Sequence, residues 1–419
     1  MTTSIRKTMV YLLLIQGGNY LFPLLLLPFL GRVLGVTEFG VLAYCQAVVQ
    51  YLILLTDYGH NLTATRLVSV KRNDPDALAG VYSSTMGAKL ALTLASFGLL
   101  AGGLLFVPGL ASHWPILAAA FVGVIANAAT PLWFFQGMER MKALVLPTFV
   151  SKIVSFGLVV LLVKGPGDAA LAALGISIGN AILAVLALGI IHRNRLVALV
   201  FVPLRSICES LREGFPVFLS LVLVSFYVNF NSILLNYFHG PTVVGQFAMA
   251  DKVRVAAQTV FIVVGQAFYP RISHYNSTHP AAAQALMRKA MLAVFGCSVS
   301  LFIAIQLFAG WGIEMWVGEQ FRASIFLLKL EVVLLPVISV AFVFSNLGLL
   351  AMGRNRALKN VYAAVTVLHL IYVVPLTRYL GAEGTIVSVI LTELFGAVAF
   401  ALLYFREIRP LTQAHAQGL

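Results

Sequence analysis

Apolar residues run along this chain in blocks of about twenty or more, separated by short polar stretches and without the alternation of a half-buried strand. Blocks of that length predict helices, because about 20 apolar residues cross a bilayer core as a helix. In hydrocarbon a helix also satisfies its own backbone N–H and C=O groups. The pattern predicts twelve spans, at residues 8–31, 39–63, 81–107, 114–136, 145–163, 168–191, 213–237, 241–269, 286–309, 324–350, 359–379 and 384–405. Pro23, Pro28, Pro131, Pro216 and Pro336 fall in or at the ends of these spans, where neighbouring groups can rescue the freed carbonyls. The first block is too long for a signal-peptide core and lacks a clear small-residue cleavage site, so it is expected to be retained as a span.

Composition strengthens this reading. Of 419 residues, 60% are apolar and 10% charged, against roughly 25% charged in an average soluble protein. That leaves too little polar surface to coat soluble domains. The formal charge of +13 could suggest nucleic acid in a soluble chain. Its distribution points elsewhere. Only Arg32, Lys164, Arg322 and Arg378 fall in loops on one side, and Lys89, Lys152, Lys252, Arg254 and Lys329 lie in the spans. All other Lys and Arg residues fall on the side of the termini, so the positive-inside bias puts both termini in the cytoplasm. No nucleic-acid partner is expected. Cys45, Cys208 and Cys297 are far apart, without metal-ligand spacing, and are expected to be unpaired.

The largest cytoplasmic connection lies at the chain midpoint. It suggests an N-terminal six-helix lobe at residues 1–192, a linker at 193–212 and a C-terminal six-helix lobe with a short tail at 213–419. An internal match supports the division. Gly35-Val-Thr-Glu-Phe-Gly40 pairs with Gly240-Pro-Thr-Val-Val-Gly245, and the same offset pairs Ala43 with Ala248 and Arg66 with Arg271. Six spans per half give both halves one orientation, hence a pseudo-two-fold along the membrane normal, with transport sites expected between the halves. The expected fold is an all-α polytopic membrane protein of twelve transmembrane helices in two six-helix lobes.

Four predicted spans carry polar stripes at helical spacing: Gln16 and Asn19; Gln46, Gln50, Asp57 and Asn61; Ser225, Asn229, Ser232 and Asn236; Asp251, Arg254 and Gln258. Interhelical hydrogen bonds explain any one of them, whereas four together suggest a hydrated cavity. Asn19, Gln46 and Asn229 are candidate substrate contacts. Lys89 and Lys152 lie about 8–12 Å inside the cytoplasmic ends of their spans by helix rise, either snorkelling or facing substrate. Arg254 stays charged and needs a partner or water. It can pair with Asp251 or present a guanidinium fork to phosphate oxygens. Acids in the bilayer are candidate proton carriers. Glu393, with no basic residue within a helical turn, and Asp251 lead, while Asp57 can instead cap its helix or pair with Arg66. No phosphate-binding loop, dinucleotide turn, zinc-protease motif or nucleophile elbow is present in the sequence. Neither a cofactor nor an enzymatic reaction is expected.

Several longer strings add a family likeness. They include Gln16-Gly-Gly-Asn-Tyr-Leu-Phe-Pro-Leu-Leu, Pro28-Phe-Leu-Gly-Arg-Val-Leu-Gly35, Asp57-Tyr-Gly-His-Asn-Leu-Thr-Ala-Thr65 and Trp133-Phe-Phe-Gln-Gly-Met-Glu139. Ala250-Asp-Lys-Val-Arg254 and Gln266-Ala-Phe-Tyr-Pro-Arg-Ile-Ser273 frame the eighth predicted span. Together, over essentially the whole chain, they resemble bacterial polysaccharide-unit flippases of the Wzx (O-antigen translocase) type. That group sits in the multidrug/oligosaccharidyl-lipid/polysaccharide exporter superfamily. The resemblance implies two six-helix lobes around an alternately open cavity in the bacterial inner membrane. It implies an undecaprenyl-diphosphate-linked oligosaccharide carried from the cytoplasmic to the periplasmic leaflet by proton antiport. A polysaccharide polymerase and a chain-length regulator become candidate partners. Within the matching strings, Arg32, Lys252 and Arg254 become candidate substrate contacts and Asp57 a candidate coupling residue. The rival of the same fold is a cation-coupled multidrug or small-molecule extruder, which should favour acidic residues where the eighth span offers net positive charge. A membrane glycosyltransferase or polymerase would show a large external loop or an acidic metal motif.

Overall fold

The computed structural model describes the backbone of residues 2–416, and side chains in that range except at 2–16, 19–21, 227, 228, 277, 280 and 408–416. Among the described residues all regular structure is helical. The helices are α1 (Thr2–Asp57), α2 (His60–Lys71), α3 (Pro75–Phe106), α4 (Pro108–Ala111), α5 (Trp114–Ala129), α6 (Leu132–Gly137), α7 (Lys142–Leu162) and α8 (Ala169–Arg193). They continue as α9 (Leu204–Gln266), α10 (Tyr269–Thr278), α11 (Pro280–Trp316), α12 (Arg322–Glu331), α13 (Leu334–Phe342) and α14 (Asn355–Ala416). A short 3₁₀ turn at Glu319–Phe321 precedes α12, and a π-helical stretch at Val343–Leu350 follows α13.

Three helices are too long to be single spans. α1 has 56 residues, α9 63 and α14 62, which straight would reach about 84–95 Å, some three times a bilayer core of about 30 Å. Each breaks at one glycine: Gly35 (φ 75, ψ 172), Gly240 (φ 78, ψ 177) and Gly381 (φ 60, ψ −136). All three breaks fall between predicted spans. Gly35 and Gly240, the residues paired by the internal match, share one backbone conformation that is essentially closed to residues with a Cβ.

Among the described residues, seven helices are long and apolar enough to cross a membrane, and up to nine if each of two bent pairs counts as one span. The predicted eighth span carries Asp251, Lys252 and Arg254 within one turn, more charge than a typical apolar span tolerates. Outward faces are apolar as lipid requires: Leu94, Phe97, Leu105 and Phe106 on α3 are all more than half exposed. The tenth predicted span is not one straight helix. It bends by 40° between Glu331 and Leu334, just before Pro336, whose ring and missing N–H disrupt the preceding turn.

The chain divides into two compact units, Met1–Ser225 and Phe226–Leu419, so α9 contributes to both. In the first, α8 packs on α5 and α7. A buried aromatic group, Trp133, Phe134 and Phe135, packs with Ala64, Val68 and Tyr82 beside it. Thr65 Oγ1 donates to the Trp133 carbonyl at 3.2 Å, joining two of the strings that carry the family likeness. In the second unit, α13 packs on both α11 and α14.

Candidate functional site

Each unit encloses a polar cavity. In the second unit, steps of three and four residues put Asp251, Arg254 and Gln258 on one face of α9. Arg254 donates from Nη2 to Asp251 Oδ1 and from Nη1 to Gln258 Oε1, both at 2.5 Å. Its Nε lies 3.8 Å from Glu331 Oε2, and both atoms are buried without a hydrogen bond. Glu331, only 2% exposed, ends α12 at the bend. These groups, with Asn231 and Glu393, line a cavity of about 240 Å³. Behind Asn231 lies fully buried His369: its Nε2 is 3.2 Å from Asn231 Oδ1 and its Nδ1 2.7 Å from Thr392 Oγ1, which Tyr372 OH also contacts at 2.6 Å.

The cavity does not share the net positive charge of the eighth span. Lys252 is exposed and does not line the cavity, while Glu331 and Glu393 do. Three carboxyl groups therefore face one guanidinium, a local acidic excess beside a span whose own net charge is positive. Arg254 is already engaged by Asp251 and Gln258. Sequence reasoning passed over Glu331 because it lies on a distant stretch of chain. An inventory of every acid inside an apolar block would have found it, whereas nothing in the local pattern marks Asn231 or His369.

In the first unit, Lys89 does not snorkel. It is 1% exposed and donates from Nζ to Asp57 Oδ1 at 3.0 Å, while Asn61 Nδ2 donates to Asp57 Oδ2 at 3.1 Å. Asp57 thus pairs with Lys89 and not with Arg66. Asp57 and Asn61 line a cavity of about 230 Å³ with Asn127, Thr130, Thr148, Lys152 and Asn180. His60 is buried, with Nδ1 3.1 Å from the Asp57 carbonyl and Nε2 3.2 Å from Ser210 Oγ. Arg32 is exposed, and Gln46 and Asn229 are half-buried; none of the three lines either cavity. The side chain of Asn19 lies outside the described residues. Among the described residues no three His, Cys, Asp or Glu side chains form a metal site, and Cys45, Cys208 and Cys297 are unpaired.

Apolar helices folded back at glycines, with charged cavities inside otherwise apolar bundles, define an all-α polytopic membrane protein. The family described as polysaccharide biosynthesis protein matches residues 5–276, and the chain belongs to that family. It is 32% identical over 391 residues to a protein of Shigella dysenteriae named "Putative O-antigen transporter", covering 93% of this chain and 97% of that one. A protein of the same name in Escherichia coli K12 is 30% identical over 410 residues, covering 97% and 98%. Among solved structures, the lipid II flippase MurJ in an inward closed conformation has a TM-score of 0.76 at 12% identity, covering 93% of this chain and 87% of that one. An inward-facing multidrug resistance MATE family transporter of the MOP superfamily has a TM-score of 0.74 at 16% identity, covering 93% and 95%. At these identities the structures establish a shared two-lobe fold.

Proposed function

We propose that this protein translocates an undecaprenyl-diphosphate-linked oligosaccharide, an O-antigen or related repeat unit, from the cytoplasmic to the periplasmic leaflet of the inner membrane. The observation that carries this reading is the identity with two proteins named as O-antigen transporters, each covered almost end to end. Physical demand agrees with it. The diphosphate bears about two negative charges that cannot enter hydrocarbon bare, while the polyprenyl tail can stay in lipid. Alternating access moves the headgroup, with the two six-helix lobes at 1–192 and 213–419 acting as the moving bodies and both termini in the cytoplasm.

Coupling to protons is assigned to Asp251, Glu393 and, added by its position, Glu331. Three carboxyl groups against one guanidinium leave a formal excess of two negative charges, which protons offset. Arg254 serves there as the fixed counter-charge. Lys252 and Arg32 remain candidates for headgroup contact on exposed surface.

The acidic cavity also favours a second reading, a cation-coupled extruder of organic cations on the same fold. One experiment separates the two. Purified protein in vesicles is given lipid-linked oligosaccharide in one arm and the organic cation ethidium in the other. Protein-dependent oligosaccharide flipping without ethidium transport is the expected result. The reverse outcome would replace the flippase reading with the extruder.

A further inference from the structure

A further cavity, of about 460 Å³, lies within the second unit and shares no lining residue with the acidic one. Its volume is that of an ordinary ligand site. Three elements build it: α11 contributes Met287, Arg288 and Met291, the π-helical stretch Phe344, and α14 Tyr404 and Phe405. Arg288, Lys289, Arg354, Arg356 and Arg406 stand near the ends of these elements, on the side that the positive-inside bias assigns to the cytoplasm. The wall is aromatic, with the Phe344 ring 5.3 Å from Tyr404 and 5.5 Å from Phe405 between centroids. Two of its groups are polar and unanswered. Tyr404 is only 6% exposed, and its hydroxyl makes no hydrogen bond to a described residue. Arg288 is exposed and makes no ion pair or hydrogen bond to a described residue, whereas Arg354 is paired with Glu407 at 2.8 Å. The Tyr404 ring packs directly on the π-helical backbone, since a Cβ at Gly348 would stand 2.6 Å from its Cδ2. Such π-helical turns are rare and frequently mark functional sites. An apolar cavity, a buried phenol with a donor to give and an unpaired guanidinium together complement an amphiphile with an anionic head.

We propose that this cavity binds one anionic phospholipid of the inner leaflet. An acyl chain lies against Met287, Met291 and Phe344, the phosphate meets the Arg288 guanidinium, and a head-group oxygen accepts from the Tyr404 hydroxyl. Position and charge select this occupant, because the anionic lipids of the cytoplasmic leaflet attract basic residues at its surface. A polyprenyl-linked substrate shares the head chemistry, but its much longer tail outruns a cavity of about 460 Å³. The leaflet follows from the orientation of the chain, while the site itself is independent of what the protein transports. A lipid held between α11, the π-helical stretch and α14 binds only the folded second unit, and so stabilises it by mass action.

The test is native mass spectrometry of the full-length, detergent-solubilised protein. Dioleoyl phosphatidylglycerol, zwitterionic dioleoyl phosphatidylcholine and decaprenyl phosphate are added separately and in competition. The first phosphatidylglycerol should bind about fivefold more tightly than the first phosphatidylcholine, the worth of one basic residue at an anionic lipid. Arg288→Gln should erase that preference, and Tyr404→Phe should weaken the first phosphatidylglycerol about three- to tenfold. Met291→Trp fills the cavity and should weaken both phospholipids. Lys289→Gln removes a neighbouring exposed cation that does not line the cavity, and should leave both affinities unchanged. Arg288 and Lys289 are both exposed, so that comparison does not depend on variants that disturb folding. Equal binding of the two phospholipids to wild type, a preference that survives Arg288→Gln, or equal losses in Arg288→Gln and Lys289→Gln would overturn the proposal. So would undiminished binding in both Tyr404→Phe and Met291→Trp. Decaprenyl phosphate displacing phosphatidylglycerol at equal concentration would also overturn it, and would give the cavity to the polyprenyl chain.

Discussion

Arg254 and Glu331 make each other tolerable inside the second unit, and each is a test of the other. Removing the guanidinium strands a carboxylate that is 2% exposed, and breaking a buried pair in this way costs about 3–5 kcal/mol. Replacing both charges is close to neutral by the same reasoning. Arg254→Met should therefore lower the thermal midpoint of the detergent-solubilised protein, and adding Glu331→Gln should restore most of it. Equal losses in the single and double variants would mean that the two side chains do not interact. Lys89→Met should cost less, because the side chain of Asp57 is 23% exposed and can be hydrated. The sequence made the near half of this network readable: helical pitch alone puts Asp251, Arg254 and Gln258 on one face. Glu331 stayed hidden because pitch orders side chains within a helix and says nothing about which other helix faces them. For the same reason the pattern marks Lys89 and Asp57 singly and not as partners.

The apolar blocks fixed where helices run, and the glycines fixed where they turn. The apolar pattern leaves residues 32–38 for the first connection, whereas the chain turns at Gly35 alone and stays helical on either side. Gly240 repeats that geometry, with open space where a Cβ would stand. Any cost of substitution there is backbone strain and not collision, about 1–3 kcal/mol. Gly102, in the last two turns of α3, also has open space but ordinary helical backbone, and alanine there should stabilise by up to about 0.5–1 kcal/mol. Gly240→Ala should thus reduce the monodisperse fraction on fluorescence-detected size exclusion, and Gly102→Ala should preserve or raise it. Identical behaviour of the two variants would remove the strain argument. The bend after Glu331 was not legible as a break, since the apolar run continues through it and Pro336 is compatible with an unbroken membrane helix. Its effect is local and chemical: a carboxylate ends α12 where the helix stops being regular, at the wall of the acidic cavity.

At the scale of the whole chain, the positive charge that first set the orientation divides into a topological part and a small chemical one. The orientation is open to a direct check through Cys208, which is exposed in the predicted cytoplasmic linker, while Cys45 is buried. A membrane-impermeant maleimide should label Cys208 in inverted vesicles and not in spheroplasts, and leave Cys45 unlabelled in both. The opposite pattern would reverse the topology. The chemical part is two polar cavities, one per unit, lined by Asp57 and Lys152 in the first and by Arg254 with Asp251, Glu331 and Glu393 in the second, which makes their variants kinetically distinct. If the first cavity binds substrate, Lys152→Gln should lower flipping to the same degree with and without an imposed pH gradient, leaving the ratio of the two rates as in wild type. If the second cavity couples protons, Glu393→Gln should abolish the effect of the gradient while flipping without it persists. The ratio, not the absolute rate, separates the roles, because a merely misfolded variant lowers both rates together. Glu393→Gln with a wild-type ratio would take coupling away from Asp251, Glu331 and Glu393, and would leave their acidic excess to be explained as structure.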